Sequence, residues 1–325
     1  MAHEIESMMF VGDTPWHGLG TRFVEPPSLD EAMVASGLDW EVTTNPVFDH
    51  WRDEIPDKYS ITRKVKVEGG ILGEEKLVHL GIVGGRYEPL QNVDAFRWFE
   101  PFINEGLASI ETAASLRHGQ RVFVLAKING APDIIGGDDE VSRYILLSNS
   151  HDGKQSVRAG FTPIRVVCSN TLAWAIRDKS SSLIRVNHSK SVYDNLEALR
   201  ETMNLASQQF EANAEQFRWL ASIPITSGDL KEYIKVSLEL QTSVKANGQE
   251  RENRALNKVI SLFESGRGAE LSTANGTYWG AYNAVNEYLG YFQGTGQNNR
   301  VDSLFFGRGS LLNRKALSTA MQLAA

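Results

Sequence analysis

Residues Arg143–Lys190, RYILLSNSHDGKQSVRAGFTPIRVVCSNTLAWAIRDKSSSLIRVNHSK, decide how the rest of the chain is read. Asp152-Gly153 stands between two strand-like runs, and Asp-Gly there signals a tight hairpin because a type I′ turn needs positive φ at both central residues. Past Gly160 the period changes. Ile164, Val167, Cys168, Thr171, Leu172 and Ala175 recur at the spacing of one helix face, and Pro163 suits the first turn of that helix. Arg121–Ile128 supplies an earlier strand. The region Arg121–Asp178 therefore predicts three antiparallel strands followed by a helix, and Leu183–Val186 adds a short strand.

The same stretch carries the densest positive charge. Eight bases (Arg143, Lys154, Arg158, Arg165, Arg177, Lys179, Arg185 and Lys190) stand against Asp152 and Asp178, in a chain whose net charge is -7. A net negative charge disfavours unspecific adhesion to nucleic acid, but charges separated by more than about 8–10 Å are screened, so a local basic groove remains compatible with it. Lys154 and Arg158 flank the expected hairpin, and Arg165, Arg177 and Lys179 fall on the polar side of the expected helix. Phe161 and Trp174 are rings against which bases stack in single-strand binders. The expected nucleic-acid surface is Arg143, Lys154, Arg158, Phe161, Arg165, Trp174, Arg177, Lys179 and Arg185.

Outward toward the N-terminus, residues 1–27 read as an ordered loop. Ser28-Leu29-Asp30-Glu31 has the form of a capping box and predicts a short helix ending at Gly37. Strands are expected over 39–48 (broken by Pro46), 59–67, 77–83, 107–115 and 121–128. Asn92 is expected to cap a helix over 93–105, and Asp133–Glu140 reads as an acidic loop. Toward the C-terminus the pattern becomes helical over 190–222, from Ser227, over 251–264, over 277–291 and over 311–323. The expected fold is α+β: an antiparallel sheet with a three-strand-plus-helix core over 1–189, then a mainly helical region over 190–325.

The 325 residues suffice for a substantial core, and 42% hydrophobic content is that of an ordinary globular chain. No window approaches the roughly 18 apolar residues of a membrane span. One cysteine makes no internal disulfide, so the expectation is a soluble, cytoplasmic protein. The histidines at 3, 17, 50, 79, 118, 151 and 188 form no paired metal motif, and no metal or cofactor is expected. Cys168, on an apolar helix face, reads as a small buried hydrophobe. Ser150-His151-Asp152 are sequence neighbours whose side chains diverge, which rules out a relay. Gly18-Leu19-Gly20 and Gly266-Arg267-Gly268 lack the strand and helix of a phosphate loop. Gly307-Arg308-Gly309 precedes a helix and reads as a plain loop with a basic helix start.

Four ordered motifs extend across nearly the whole chain: Pro15–Gly20 (PWHGLG), Leu147–Gly153 (LSNSHDG), Thr162–Leu172 (TPIRVVCSNTL) and Trp279–Val285 (WGAYNAV). On these the chain resembles a phage/plasmid-like family of domain-of-unknown-function proteins. That resemblance implies a mobile-element setting and brings no activity or catalytic residues. The order of strands, hairpin and helix is also similar to the core of single-strand annealing recombinases, an analogy of fold alone. The resulting expectation is a non-enzymatic protein that binds single-stranded DNA, anneals strands and forms a homo-oligomeric ring or filament. The alternatives are a protein-interaction module without nucleic-acid binding, and an enzyme whose site gathers His17, His118 or His151.

Overall fold

The computed structural model describes the chain apart from residues 1–4, 13–18, 67–74, 166–169, 172–182, 204–206, 242–252, 294–302 and 305–306. It is an α+β protein, with mostly antiparallel sheet in the first part of the chain and helices in the last. It divides into two compact units that interleave in sequence. The first is Met1–Gly130, Ile145–Phe161 and Leu183–Leu205; the second is Ala131–Tyr144, Thr162–Ser182 and Ala206–Ala325.

The first part of the chain forms β1 (Ile5–Val11), β2 (Thr21–Phe23), α1 (Leu29–Ala35), β3 (Val42–Phe48), β4 (Glu54–Lys66), β5 (Glu75–Val83), α2 (Asn92–Arg97), α3 (Glu100–Asn104), β6 (Ala108–Leu116) and β7 (Arg121–Ile128). Then come β8 (Asp133–Gly136), β9 (Asp139–Ser150), β10 (Val157–Arg165), β11 (Asn170–Thr171), β12 (Leu183–Val186) and α4 (Val192–Met203). In the first unit the strands run in the order β10-β9-β7-β6-β1-β2, with β12 paired to β10. Helices α1 to α3 lie against β1, β6 and β7. The Trp98 indole donates to Leu196 O at 2.9 Å and ties α4 to the turn between α2 and α3. A second sheet, β3-β4-β5, has its own small core of Val42, Ile61, Leu80 and Val83.

Several expectations change. The N-terminal segment is not a loop throughout: β1 pairs with β6 on one side and β2 on the other. Met8, Met9 and Phe10 are all buried, so the strand lacks the alternation that would have marked it. Pro46 does not break β3, because β3 is an edge strand and a proline there forfeits no ladder bond. The helix expected over 93–105 is two short ones, separated at Trp98 and Phe99, with Pro101 in the first turn of the second. Asn92 is the first residue of α2 rather than its cap, which frees its amide for the interior. The capping box of α1 is present, with Ser28 and Glu31 bonding each other's backbone amides.

The helix expected from Pro163 is the largest local correction. Pro163, Ile164 and Arg165 are the end of β10, and Ile164 and Arg165 pair with Thr171 and Asn170 of β11. A short apolar run cannot be told from a buried strand by period alone, and the β-branched and aromatic residues Val157, Phe161, Thr162 and Ile164 favour the strand. The rest of that expected helix, with Cys168, lies outside the described residues. Asp152-Gly153 also makes a longer connection than a two-residue turn, since β9 ends at Ser150 and β10 begins at Val157. Gly153 has φ +71, and a Cβ there would meet Val83 Cγ1 at 2.6 Å.

The second unit is built around α8 (Tyr278–Glu287), with α5 (Ser207–Ser222), α6 (Ser227–Ser237), α7 (Arg254–Ser265) and α9 (Arg308–Leu323). Every residue of α8 is buried. A helix apolar or small all round is one surrounded by protein, and here Trp279 and Tyr282 pack with Phe217 and Tyr233 in the core. Asp139, at the start of β9, is fully buried and accepts from Thr273 Oγ1 at 2.6 Å and Trp279 Nε1 at 2.9 Å. The expected acidic loop is a hairpin in this unit, with β8 paired to the start of β9.

Candidate functional site

Two features of the first unit bear on function: a basic strand pair and a buried polar cluster at the end of β9. The basic pair arises from register. β10 and β12 are antiparallel with Val157 opposite Val186 and Arg158 opposite Arg185. Val157 and Val186 are buried, so the alternation of a strand puts both arginines on the other face. Arg185 is exposed and Arg158 half-buried, and Lys154 is exposed on the connection that leads into β10. Directly opposed like charges are unfavourable in a strand pair.

The other expected surface residues fall elsewhere. Arg143, in the second unit, is held by a two-pronged ion pair with Asp133, with Nε donating at 2.8 Å. Phe161 is 9% exposed, so its ring is packed into the protein and offers no face to a base. Arg165 is the last residue of β10. Trp174, Arg177 and Lys179 lie outside the described residues. Of the expected residues, Arg158 and Arg185 face each other, and Lys154 is exposed on the loop that leads into β10.

At the end of β9 and just beyond it, Ser148 to Asp152 is a run of five buried polar residues. His151 is fully buried, with Nε2 3.0 Å from Asn92 Oδ1. The Asn92 amide nitrogen donates to Trp40 O, which leaves Oδ1 as the acceptor and assigns the His151 proton to Nε2. Its Nδ1 lone pair is buried without a hydrogen-bond partner. His188 Nδ1 donates to Glu88 O at 3.1 Å, and its ring stacks on Tyr87 with centroids 4.5 Å apart. The Tyr87 hydroxyl donates to Ser150 O at 2.9 Å. Asp152 accepts from Ser150 Oγ and from Lys154 N, which fixes the start of the connecting loop. The approach is close: a Cβ on Gly81 of β5 would lie 2.6 Å from Asp152 O.

Burial drives the electrostatics. His151 is lowered to about 3, mainly by loss of solvent and then by the charges of His188 and Arg63. His188 is lowered to about 4 by burial, opposed by its bond to Glu88. Burial and then the Asp152 charge push the Tyr87 hydroxyl up. Arg63 lies over the Trp40 ring at 4.5 Å and ion-pairs with Glu6, which also accepts from Ser115 Oγ. Ser150 bonds Asp152 while His151 turns to Asn92, so the three neighbours make no relay. His118 is exposed in the turn after β6, and His17 lies outside the described residues. The residues gathered around His151 come from far along the chain. The one local signal was five polar residues ending an apolar strand. Among the described residues, no group of three or more His, Cys, Asp or Glu is placed to hold a metal ion, and no helix is long and apolar enough to cross a membrane.

A family model described as a domain of unknown function, DUF932, matches residues 79–304. The chain belongs to the DUF932 family. No curated protein and no solved structure matches this DUF932 chain. The matched residues take in Tyr87, Asn92, the buried run ending at Asp152, both strands of the basic pair, His188 and the central helix α8. Strands β1 to β4 precede the match.

Proposed function

We propose that this DUF932 protein binds single-stranded DNA at the β10–β12 strand pair and anneals complementary strands without catalysing a covalent step. The observation that carries this reading is the register of Arg158 against Arg185, with Lys154 exposed on the adjoining loop. Three cations so arranged track a phosphate backbone, whose spacing and charge suit Arg and Lys donors. The buried cluster around His151 anchors the loop through Asp152 and holds the pair in place. The resemblance to phage- and plasmid-borne proteins supports a setting in recombination or replication.

Fluorescence anisotropy of a labelled oligonucleotide tests the reading. Affinity should fall steeply with salt, and an Arg158→Ala/Arg185→Ala variant should bind more weakly with a shallower salt dependence. Absence of binding at micromolar protein and low salt, or equal binding by the double variant, refutes it. A role in protein contact is favoured by a separate feature, the exposed aromatic tip of the β3–β4 hairpin.

A further inference from the structure

The hairpin of β3 and β4 extends past the sheet that carries it. β5 ends at Val83, opposite Tyr59, so beyond the Pro46–Tyr59 pair the ribbon has only two strands. From Thr43 to Lys58 every residue is exposed or half-exposed. Two strands with no buried face gain little from their own packing, although Gly85 N donates to Asp57 at the base of the arm at 2.8 Å. Yet the tip carries Phe48, Trp51 and Ile55, with Trp51 78% and Phe48 55% exposed. The turn is nonetheless built: Asp49 accepts from the backbone amides of Trp51 and Asp53 and fixes the direction of the loop. Large rings held out on an ordered arm mark a contact surface.

The charge around the rings says what they contact. Asp49, Asp53, Glu54 and Asp57 outnumber Arg52 and Lys58 on this segment. An acidic tip is repelled by phosphates, which disfavours both nucleic acid and an anionic lipid surface. It fits a basic protein surface. The chain itself holds one on β10 and β12, where Arg158 stands opposite Arg185 and where Arg185 and Lys154 of the adjoining loop are exposed. Pro46 on the β3 edge and Pro56 on the β4 edge both disfavour strand addition, which leaves the side chains of the tip to make the contact. We infer that the arm tip of one copy docks on the basic β10–β12 region of a second copy. The two patches differ, so the contact is head-to-tail and adds copies into a ring or an open filament.

The inference stands apart from the proposed DNA binding, because its test needs no DNA. Sedimentation of the full chain at low salt should give species heavier than the 36.1 kDa monomer that dissociate as salt rises. A Phe48→Ala/Trp51→Ala variant, folded by circular dichroism, should weaken assembly at least tenfold. So should Arg158→Glu/Arg185→Glu. Mixing the two variants should give a dimer and nothing larger, since one intact arm then meets one intact basic surface. A wild type that stays monomeric, an arm variant that assembles as wild type does, or a mixture without the dimer overturns the inference. An arm variant that loses oligonucleotide binding while its mass is unchanged assigns the tip to nucleic acid and also overturns it. Added oligonucleotide that lowers the mass shows phosphate competing for the arm's receptor. An unchanged mass leaves the arm contact standing and counts against DNA binding at that surface.

Discussion

Arg158 and Arg185 stand directly opposite each other across β10 and β12. They share one face of the strand pair, so reversing the charge of Arg185 tests stability and binding together. Arg185→Glu turns the pair into an opposite-charge one, worth about 0.2–1 kcal/mol across a strand pair. Thermal unfolding should move up slightly without DNA. Oligonucleotide affinity should fall, with the salt slope shallower by about 0.7 for each phosphate that the variant no longer neutralises. A variant that gains stability and keeps its affinity contradicts the binding role.

His151 and His188 are neutral in the fold, with pKa values of about 3 and about 4 against an ordinary 6.5. The unfolded chain therefore takes up protons that the folded chain refuses. Their contribution is fully present above about pH 6.5 and is lost as the pH falls toward 4 and then 3, each histidine by up to about 1.4 kcal/mol per pH unit. Urea unfolding at a series of pH values checks this against His151→Gln. The variant should be less stable at neutral pH and show a shallower decline on acidification, with carboxylate contributions cancelling in the comparison. Parallel declines exclude His151 as a source.

Asp139 joins the start of β9 to the helical core by accepting from Thr273 and Trp279. Asp139→Ala leaves two buried donors without their acceptor and should cost roughly 3 kcal/mol or more. Asp139→Asn keeps one oxygen and should cost less. Denaturant unfolding of both variants, followed by Trp fluorescence, gives the ranking, and equal stabilities would show that the carboxylate is not what holds Trp279.

Gly81 touches the loop at Asp152 so closely that a side chain meets backbone rather than a movable group. Gly81→Ala should destabilise by about 1–3 kcal/mol. Gly228, in the first turn of α6, has only Thr226 Oγ1 near the position of a Cβ, at 3.7 Å, so Gly228→Ala should be neutral or stabilising by up to about 1 kcal/mol. Melting temperatures of the two variants separate a steric requirement from a general sensitivity to alanine.

Local patterns carried much of the fold. Ser28 and Glu31 announced α1, strand-like runs marked β4 and β5, and the stretch from Thr277 read as helical, although its burial on every side came only with the packed structure. Legibility failed where burial was two-sided or where partners were distant. Met8–Phe10 show no alternation because all three are covered. Ile164 and Thr171 kept helical spacing while pairing across strands. The candidate site was readable as charge, through Lys154, Arg158 and Arg185, but not as geometry. Phe161 had the right chemistry and the wrong exposure.

Residue order alone was enough for the α+β class, the helical character of the C-terminal part and the basic stretch set in an acidic chain, because each depends on composition or on neighbours within a few residues. It took the packed chain to bring Arg158 against Arg185, to turn Asn92 inward to His151, and to stand Trp51 on an arm instead of in a core. Register, burial and desolvation arise from residues tens of positions apart, and no local period encodes them.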